Sequence, residues 1–588
     1  MGSSSISDII KTLEILVKIP IYTTLGISQN NLVYLSTEEG IRSLWSMDLA
    51  TKELKKLTTE PIHSVAIPVK TSPYIIFTRD VAKGKELHKV FYVNVLSGVE
   101  KLLVDTPPMR IFGISFDGFR AAFTAATAED IAIYLAKKDG SWEKLIKLET
   151  LAFVTDVNDK YIVGYGNLRK DPKTFEIFTY SLETSEFKAY TPKPGSQNKT
   201  PRVKEESILF ESNFEGTNRL YLCSPENNAV KKVEFTHRDY DIYNPVEHDA
   251  YGWLDDGKIW AIGRKNGRSK LFIDGKEVPT PSGTIHGIPG FLESKVFVAV
   301  SSLSTPPKVF EISLESKESN VVISSTLPKE LEEKIGEVKH VRYRSFDGLE
   351  VPMYVVESKA SSKPGPSVIY VHGGPWGEVG DAWRIFIASL VTSGYHVLAP
   401  NFRGSTGYGE EFRILDIGDP GGGDLLDVVY ARNWGVKNNI VDENSVAIMG
   451  YSYGGYMTFL AVGKHPNLWK CGVAGAGIVD WGKMYDLSDA IFRKFIEVLF
   501  ANRRNLFKER SPITYVNKVT APLCIIHPQN DTRTPLKPIL RYINKLLELG
   551  KTFEAHIIPD MGHFIATMDD AIKILLPALV FLEKQLKS

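Results

Sequence analysis

The sequence predicts two domains of opposite construction. A seven-bladed β-propeller of short antiparallel strands is followed by a doubly wound, mostly parallel α/β sheet, and a short helix precedes both. Three observations carry this. Between residues 25 and 325, pairs of short apolar strands recur at intervals of roughly 40 to 50 residues, the length of one propeller blade. From residue 326 to 588, apolar strands alternate with segments of helical period, which calls for a parallel sheet covered on both faces. Between the two textures lies a polar, charged stretch, Ser324 to Glu333.

A chain of 588 residues is too long for one core, and 43% hydrophobic with 24% charged residues is the balance of globular domains with sizeable interiors. The formal net charge of +0 gives no electrostatic case for nucleic acid or an anionic membrane as partner. Cys223, Cys471 and Cys524 are the three cysteines, far apart, and read as small core residues. There is no C-x-x-C, H-E-x-x-H or EF-hand pattern, so neither a metal nor a cofactor is expected. The start of the chain has no signal-peptide or myristoylation pattern, and no apolar run approaches the roughly 18 residues of a membrane span. A cytoplasmic protein is the expectation.

Residues 1 to 24 form the expected N-terminal segment. Ile9, Ile10, Leu13, Leu16 and Val17 share one helical face there, and Pro20 ends the helix. In the propeller region the leading strands begin near Leu32, Tyr74, Arg120, Tyr161, Ile208, Ile259 and Val296, each followed by a partner strand with aromatics and a weaker third strand. A pair of β-sandwiches is the rival reading, but it lacks a reason for the long period. Beyond residue 326 a hairpin is expected around Phe346-Asp347-Gly348. Strands then follow at Val368, His396, Val446, Cys471, Leu523 and Ala555.

The second domain contains Gly450-Tyr451-Ser452-Tyr453-Gly454 between the strand Val446 to Met449 and a helix-forming segment. This is a G-x-S-x-G nucleophile elbow, whose glycines let a strained turn lift the serine above the sheet. A serine hydroxyl needs a base and a group to orient that base. His563 follows the last strand in a loop with Gly562, and Asp531 follows the strand Leu523 to Ile526. The order Ser, Asp, His is that of α/β-hydrolases. Asp480 and Asp560 compete for the acid's role, and His527 and His556 are the histidines set aside. The expected oxyanion donors are the backbone N–H groups of Tyr453 and of Gly374 in His372-Gly373-Gly374-Pro375.

Those motifs, with Asn401-Phe402-Arg403-Gly404-Ser405-Thr406-Gly407-Tyr408-Gly409 and Asn530-Asp531-Thr532-Arg533-Thr534-Pro535, resemble the prolyl oligopeptidase family of serine peptidases, and within it the archaeal acylaminoacyl peptidases. The resemblance covers the whole chain. It implies Ser452, Asp531 and His563 as the triad, Gly374 and Tyr453 as the oxyanion hole, and a propeller that admits peptides while excluding folded proteins. It further implies release of an N-acylated amino acid from short blocked peptides. Trp481, Phe492 and Phe495 match positions of the pocket for that residue's side chain, and Arg533 matches an arginine near the acyl end. An amphipathic helix packed into the core, or a surface ion pair for Arg533, would explain the same residues without a substrate. A homo-oligomer, dimer or larger, is expected. The alternatives are a carboxylesterase or broader oligopeptidase with the same triad, a dipeptidyl-type aminopeptidase, and a propeller interaction protein with an inactive hydrolase domain.

Overall fold

A computed structural model describes residues 6–225, 229–234, 240–242 and 250–587. Seven blades can be traced among these residues, beginning at Tyr22, ahead of the expected start at residue 25, and running to Ser324. The leading strands expected from the sequence, such as Asn31–Ser36 and Ser207–Ser212, are the second strands of their blades, and their partners, such as Ser43–Asp48 and Arg219–Cys223, are the third.

What the sequence reading lacked is the innermost strand of each blade. Tyr22–Ser28, Ala152–Val157, Asn198–Lys204 and Thr284–Leu292 are four of these, and each shifts register at a bulge, between Thr24 and Gly26, Val154 and Asp156, Lys199 and Arg202, and His286 and Gly290. A bulge inserts an extra residue and breaks the alternation by which a strand is recognised. One 17-residue strand, Glu100–Phe116, serves two blades. Its first part pairs with His88–Asn94 and its second with Arg120–Ala126. The ring closes where the inner strands of the first and last blades meet at Thr24 and Gly287.

The second domain is an eight-stranded sheet. Its order is Ile335–Arg344, Glu350–Ser358, His396–Pro400, Gly365–Val371, Val441–Tyr451, Cys471–Gly475, Leu523–Pro528 and Phe553–Ile558. The first two joins are antiparallel, including the expected hairpin, and the rest are parallel. Apolar side chains fill both faces. The N-terminal helix Ile6–Val17 buries Ile9, Leu13, Leu16 and Val17 in the same core as the last helix, Met568–Leu586, while Ile10 points outward. That last helix starts in a capping box, with Thr567 and Asp570 exchanging hydrogen bonds with each other's backbone N–H groups. Cys223, Cys471 and Cys524 are buried free thiols. Parallel strands that end at one edge of the sheet bring their following loops together, and those loops carry the site.

Candidate active site

The strand Val441–Tyr451 ends at Ser452, and the helix Tyr453–Lys464 begins immediately after it. Ser452 adopts φ 59° and ψ −119°, a conformation that is strained for a residue with a side chain. Glycines make that turn possible. A Cβ on Gly450 would run into the backbone of Gly454, and one on Gly454 would collide with the Val371 carbonyl. The turn is held by the Ser452 N–H donating to the Gly475 carbonyl at 2.9 Å, while the Ser452 carbonyl accepts from the Tyr456 N–H at 2.9 Å.

Three side chains from three loops meet here. His563 Nε2 lies 2.9 Å from Ser452 Oγ, and its Nδ1 lies 2.7 Å from Asp531 Oδ2. The Asp531 side chain is fully enclosed. Its Oδ1 accepts from the N–H groups of Arg533 at 2.9 Å and Thr534 at 2.8 Å, and its Oδ2 from Thr534 Oγ1 at 2.8 Å. Burial pushes this carboxyl up, but His563 and the donated hydrogen bonds outweigh it and hold Asp531 down at about 2. An acid that stays ionised can keep the Nδ1 proton in place and leave Nε2 free to take one from Ser452. Tyr451 steadies the loop by donating its hydroxyl to the His563 carbonyl at 3.1 Å.

The other candidate acids and histidines are engaged elsewhere. Asp480 caps the helix Trp481–Leu487 through the Lys483 N–H, and Asp560 is exposed beside Lys83. His527 is buried against the Thr534 carbonyl at 2.7 Å, and His556 lies in the last strand with Glu554 nearby.

The segment His372-Gly373-Gly374, expected from the sequence to supply an oxyanion donor, passes beside the elbow. A Cβ on Gly373 would stand 3.4 Å from the Ser452 Cβ, and Gly374 takes φ 132°, which suits glycine. His372 fixes the segment from below. Its Nε2 meets Ser405 Oγ and its Nδ1 the Gly373 carbonyl, each at 2.8 Å, while the ring stacks on Phe402. Burial pushes this histidine down to about 4, so it is neutral and acts as scaffold. Tyr453 supplies the first N–H of its helix, where the helix dipole favours negative charge. Its side chain points away, donating to Asp424 at 2.5 Å.

The expected pocket residues divide. Phe492 and Phe495 line a cavity of about 300 Å³ between the two domains, with Trp376 on the same wall. Trp481 does not line it. Its side chain is fully buried in the core, its ring edge-on to Tyr456 and Phe500 at about 5 Å. An apolar residue after a strand reads the same whether it faces a pocket or the core, and here the core takes it. Arg533 is neither a surface pair nor alone. Its Nε lies 2.7 Å from Glu86 Oε1, a propeller carboxylate, and its guanidinium sits over Phe492. Arg110, also from the propeller, joins the same Glu86, and binds Asp489 and Thr532 at 2.5 Å each. Burial raises the Glu86 carboxyl, but the two guanidiniums bring it below the usual carboxylate range. Sequence reasoning missed Glu86 and Arg110, which sit in strand and turn positions with no motif around them.

Comparison with known proteins agrees with this construction. Residues 33–310 match the N-terminal domain of acylamino-acid-releasing enzyme-like proteins, and residues 382–588 match the prolyl oligopeptidase family of peptidases. Dipeptidyl aminopeptidase BIII of Pseudoxanthomonas mexicana is 24% identical over 91% of this chain and 76% of its own length. The human acylamino-acid-releasing enzyme is 26% identical over 43% of this chain and only 36% of its own length. Among solved structures, a Mycobacterium tuberculosis puromycin-hydrolysing peptidase superimposes with a TM-score of 0.84 at 15% identity, over 100% of this chain and 96% of its own. The Pyrococcus horikoshii acylaminoacyl peptidase does so with 0.73 at 18% identity, over 98% of each chain. With its propeller, its hydrolase sheet and both matches, the chain joins a C-terminal domain of the prolyl oligopeptidase family of peptidases to an N-terminal domain of the acylamino-acid-releasing enzyme-like type.

Proposed function

We propose that this peptidase releases an N-acylated amino acid from the N-terminus of short blocked peptides through an acyl-enzyme at Ser452. The observation that carries the mechanism is the unbroken series Ser452 Oγ, His563 Nε2, His563 Nδ1, Asp531 Oδ2, with links of 2.9 and 2.7 Å. His563 takes the hydroxyl proton as Ser452 attacks the scissile carbonyl. The tetrahedral oxyanion is met by the N–H groups of Tyr453 and Gly374, each such donor being worth about 3 kcal/mol of barrier. His563 then gives its proton to the departing amine, and water repeats the sequence in reverse to free the acylated residue. The phenylalanines of the cavity wall, Phe492 and Phe495, receive the side chain of that residue, and the Arg533 guanidinium faces the acyl end. Support for the acylated substrate comes from the similarity of the N-terminal domain to acylamino-acid-releasing enzymes.

The alternative of dipeptidyl aminopeptidase action has an observation in its favour. A relative so named aligns with most of this chain, and the propeller places two carboxyls, Glu211 and Asp241, on the wall of the cavity. The decisive measurement is kcat/KM for one matched set: an N-acetylated amino-acid anilide, the same anilide with a free amine, and a simple aryl ester. Preference for the acetylated anilide is expected. Preference for the free amine would turn the assignment to an aminopeptidase, and ester cleavage without anilide cleavage to an esterase. Ser452→Ala is expected to lose at least about 10⁴-fold in kcat/KM with an unchanged melting temperature. Retained turnover in that variant overturns the nucleophile.

A further inference from the structure

Two acids beside the elbow take no part in the triad. Asp416 ends the short helical turn Ile414–Asp416, Asp424 sits in the first turn of the helix Gly423–Lys437, and one loop joins them. Both are wholly enclosed. Asp424 Oδ1 accepts from the Leu425 N–H at 2.8 Å, and its Oδ2 accepts from the Gly421 N–H at 3.0 Å and the Tyr453 hydroxyl at 2.5 Å. Asp416 Oδ1 accepts from Trp376 Nε1 at 3.1 Å. Its Oδ2 is buried against Gly404, where a Cβ would stand 2.6 Å away, and makes no hydrogen bond among the described residues. The donors on the two carboxyls are thus uncharged groups, although a carboxyl taken out of water is costly without a strong partner.

The side chains these acids hold are not scattered. Tyr453 follows the nucleophile, and its N–H is one of the two donors proposed for the oxyanion. Trp376 stands two positions after Gly374, whose N–H is the other. The chain there is tightly turned. The Gly377 N–H donates to the Pro375 carbonyl at 2.8 Å, and a Cβ on Gly377 would stand 2.7 Å from the Gly373 carbonyl. A shift of the indole is therefore carried to Gly374. At Tyr453 the tie is more direct, because hydroxyl and N–H belong to one residue at the first position of its helix.

The loop between the two acids is itself anchored. The Gly418 N–H donates to the Leu499 carbonyl at 2.7 Å, and the Asp419 carboxylate accepts from Arg510 Nη2 and from the Gly423 N–H at 2.8 Å each. A fixed base is what oxyanion donors need, since groups that already hold their aim require no reorganisation as charge develops. Burial and the nearby Asp424 also push the Asp416 carboxyl well up. Uncharged, it can hold Trp376 without setting a negative charge close to the developing oxyanion.

We propose that Asp424 and Asp416 are positioning residues for the oxyanion, Asp424 fixing the Tyr453 N–H through the Tyr453 hydroxyl and Asp416 fixing the Gly374 segment through the Trp376 indole. One loop thereby sets the aim of both donors. An apolar side chain at either position would be easier to bury, but it would leave the hydroxyl or the indole N–H without its acceptor. Loss of either acid should be felt where negative charge develops and not where substrate binds. This role rests on the reading of Tyr453 and Gly374 as oxyanion donors.

Acetyl-phenylalaninal and acetyl-phenylalaninol separate the two contributions. Ser452 Oγ adds to the carbonyl carbon of the aldehyde, giving a hemiacetal whose oxygen stands where the oxyanion would, whereas the alcohol cannot add. The ratio of their inhibition constants on the full chain reports on the donors and cancels any change in the cavity wall. The aldehyde is expected to inhibit the unmodified protein at least about a hundredfold more strongly. Tyr453→Phe, Asp424→Asn and Asp416→Leu should each cut that ratio about tenfold and lower kcat for an acetyl-phenylalanine anilide alike, with KM within about twofold. Tyr453→Phe combined with Asp424→Asn should lose no more than the worse single variant, since both break one hydrogen bond. Asp416→Asn, which keeps an acceptor for the indole, should restore the parent ratio. Tyr453→Phe removes only a hydroxyl, and so keeps the test standing if a carboxyl variant folds poorly. An unchanged ratio in the folded variants, or full additivity in the double variant, overturns the positioning role. Equal inhibition of the unmodified protein by aldehyde and alcohol overturns instead the oxyanion reading beneath it.

Discussion

The propeller meets the hydrolase domain along two seams that are built differently. At one, Arg264 and Glu378 form an ion pair with both side chains fully enclosed. Around it, the Asp381 carboxylate accepts from Arg268 Nε at 2.8 Å and from the Leu303 N–H at 2.9 Å, and Thr284 Oγ1 donates to the Asp381 carbonyl at 2.8 Å. At the other, the propeller turn after Tyr74–Asp80 reaches the loops of Asp531 and His563. The Lys83 carbonyl accepts from Asn530 Nδ2 at 2.8 Å, the Lys85 carbonyl accepts from Thr532 Oγ1 at 3.2 Å, and Glu86 holds Arg533. Gly84 and Gly562 lie backbone to backbone, so that a Cβ on either would strike the other. The first seam commits buried charge to joining the domains. The second places propeller atoms against the two loops that carry Asp531 and His563. The first should register in stability, and the second in rate and, through the buried Glu86, in stability as well.

The largest effect should come from Glu378→Ala, which leaves Arg264 buried without its carboxylate. Such a loss costs about 3–5 kcal/mol, visible as a lowered denaturation midpoint, while kcat/KM of the folded protein stays within a few-fold. A fall in rate without a fall in stability would break the comparison. Gly562→Ala should do the reverse. Its added methyl collides with the Gly84 carbonyl and moves the His563 loop, and a displacement of that kind costs up to about a hundredfold in kcat with little change in melting temperature.

Glu86→Gln should weaken the second seam by about 2 kcal/mol at neutral pH. The folded-state value of Glu86 is lowered from its ordinary 4.5, so its charge contributes fully above that ordinary value. The contribution fades as pH falls through the folded-state value. The stability gap between this variant and the unmodified protein should therefore close in acid, and a gap that widened there would contradict the assigned charge. Arg268→Ala should do least. Its side chain is 55% exposed, and an exposed pair is worth less than about 1 kcal/mol, so both stability and rate should stay near those of the parent.

The strands with uninterrupted apolar runs were legible in the sequence, because burial on both faces leaves a signal that needs no knowledge of neighbours. So were the order of Ser452, Asp531 and His563 and their places just past strand ends, because a parallel sheet sends those ends to one edge. The inner propeller strands were not legible, since their bulges at Thr24, Val154, Lys199 and His286 interrupt the alternation. Nor was the difference between Phe492 and Trp481. Both are aromatic residues shortly after the same strand, yet one lines the cavity and the other fills the core.

By itself, then, the sequence determined the two domain types, the strained elbow at Ser452 and the residue types that surround it, for these follow from local periodicity and from the backbone freedom of glycine. Only the tertiary structure decided that Glu86 would hold Arg533 across 447 positions of chain, and that Glu211 and Asn218 of the propeller would line one cavity together with Phe492 and Trp376 of the other domain. Ion pairing and desolvation depend on distance in space, and no spacing along the chain encodes which blade will face which loop.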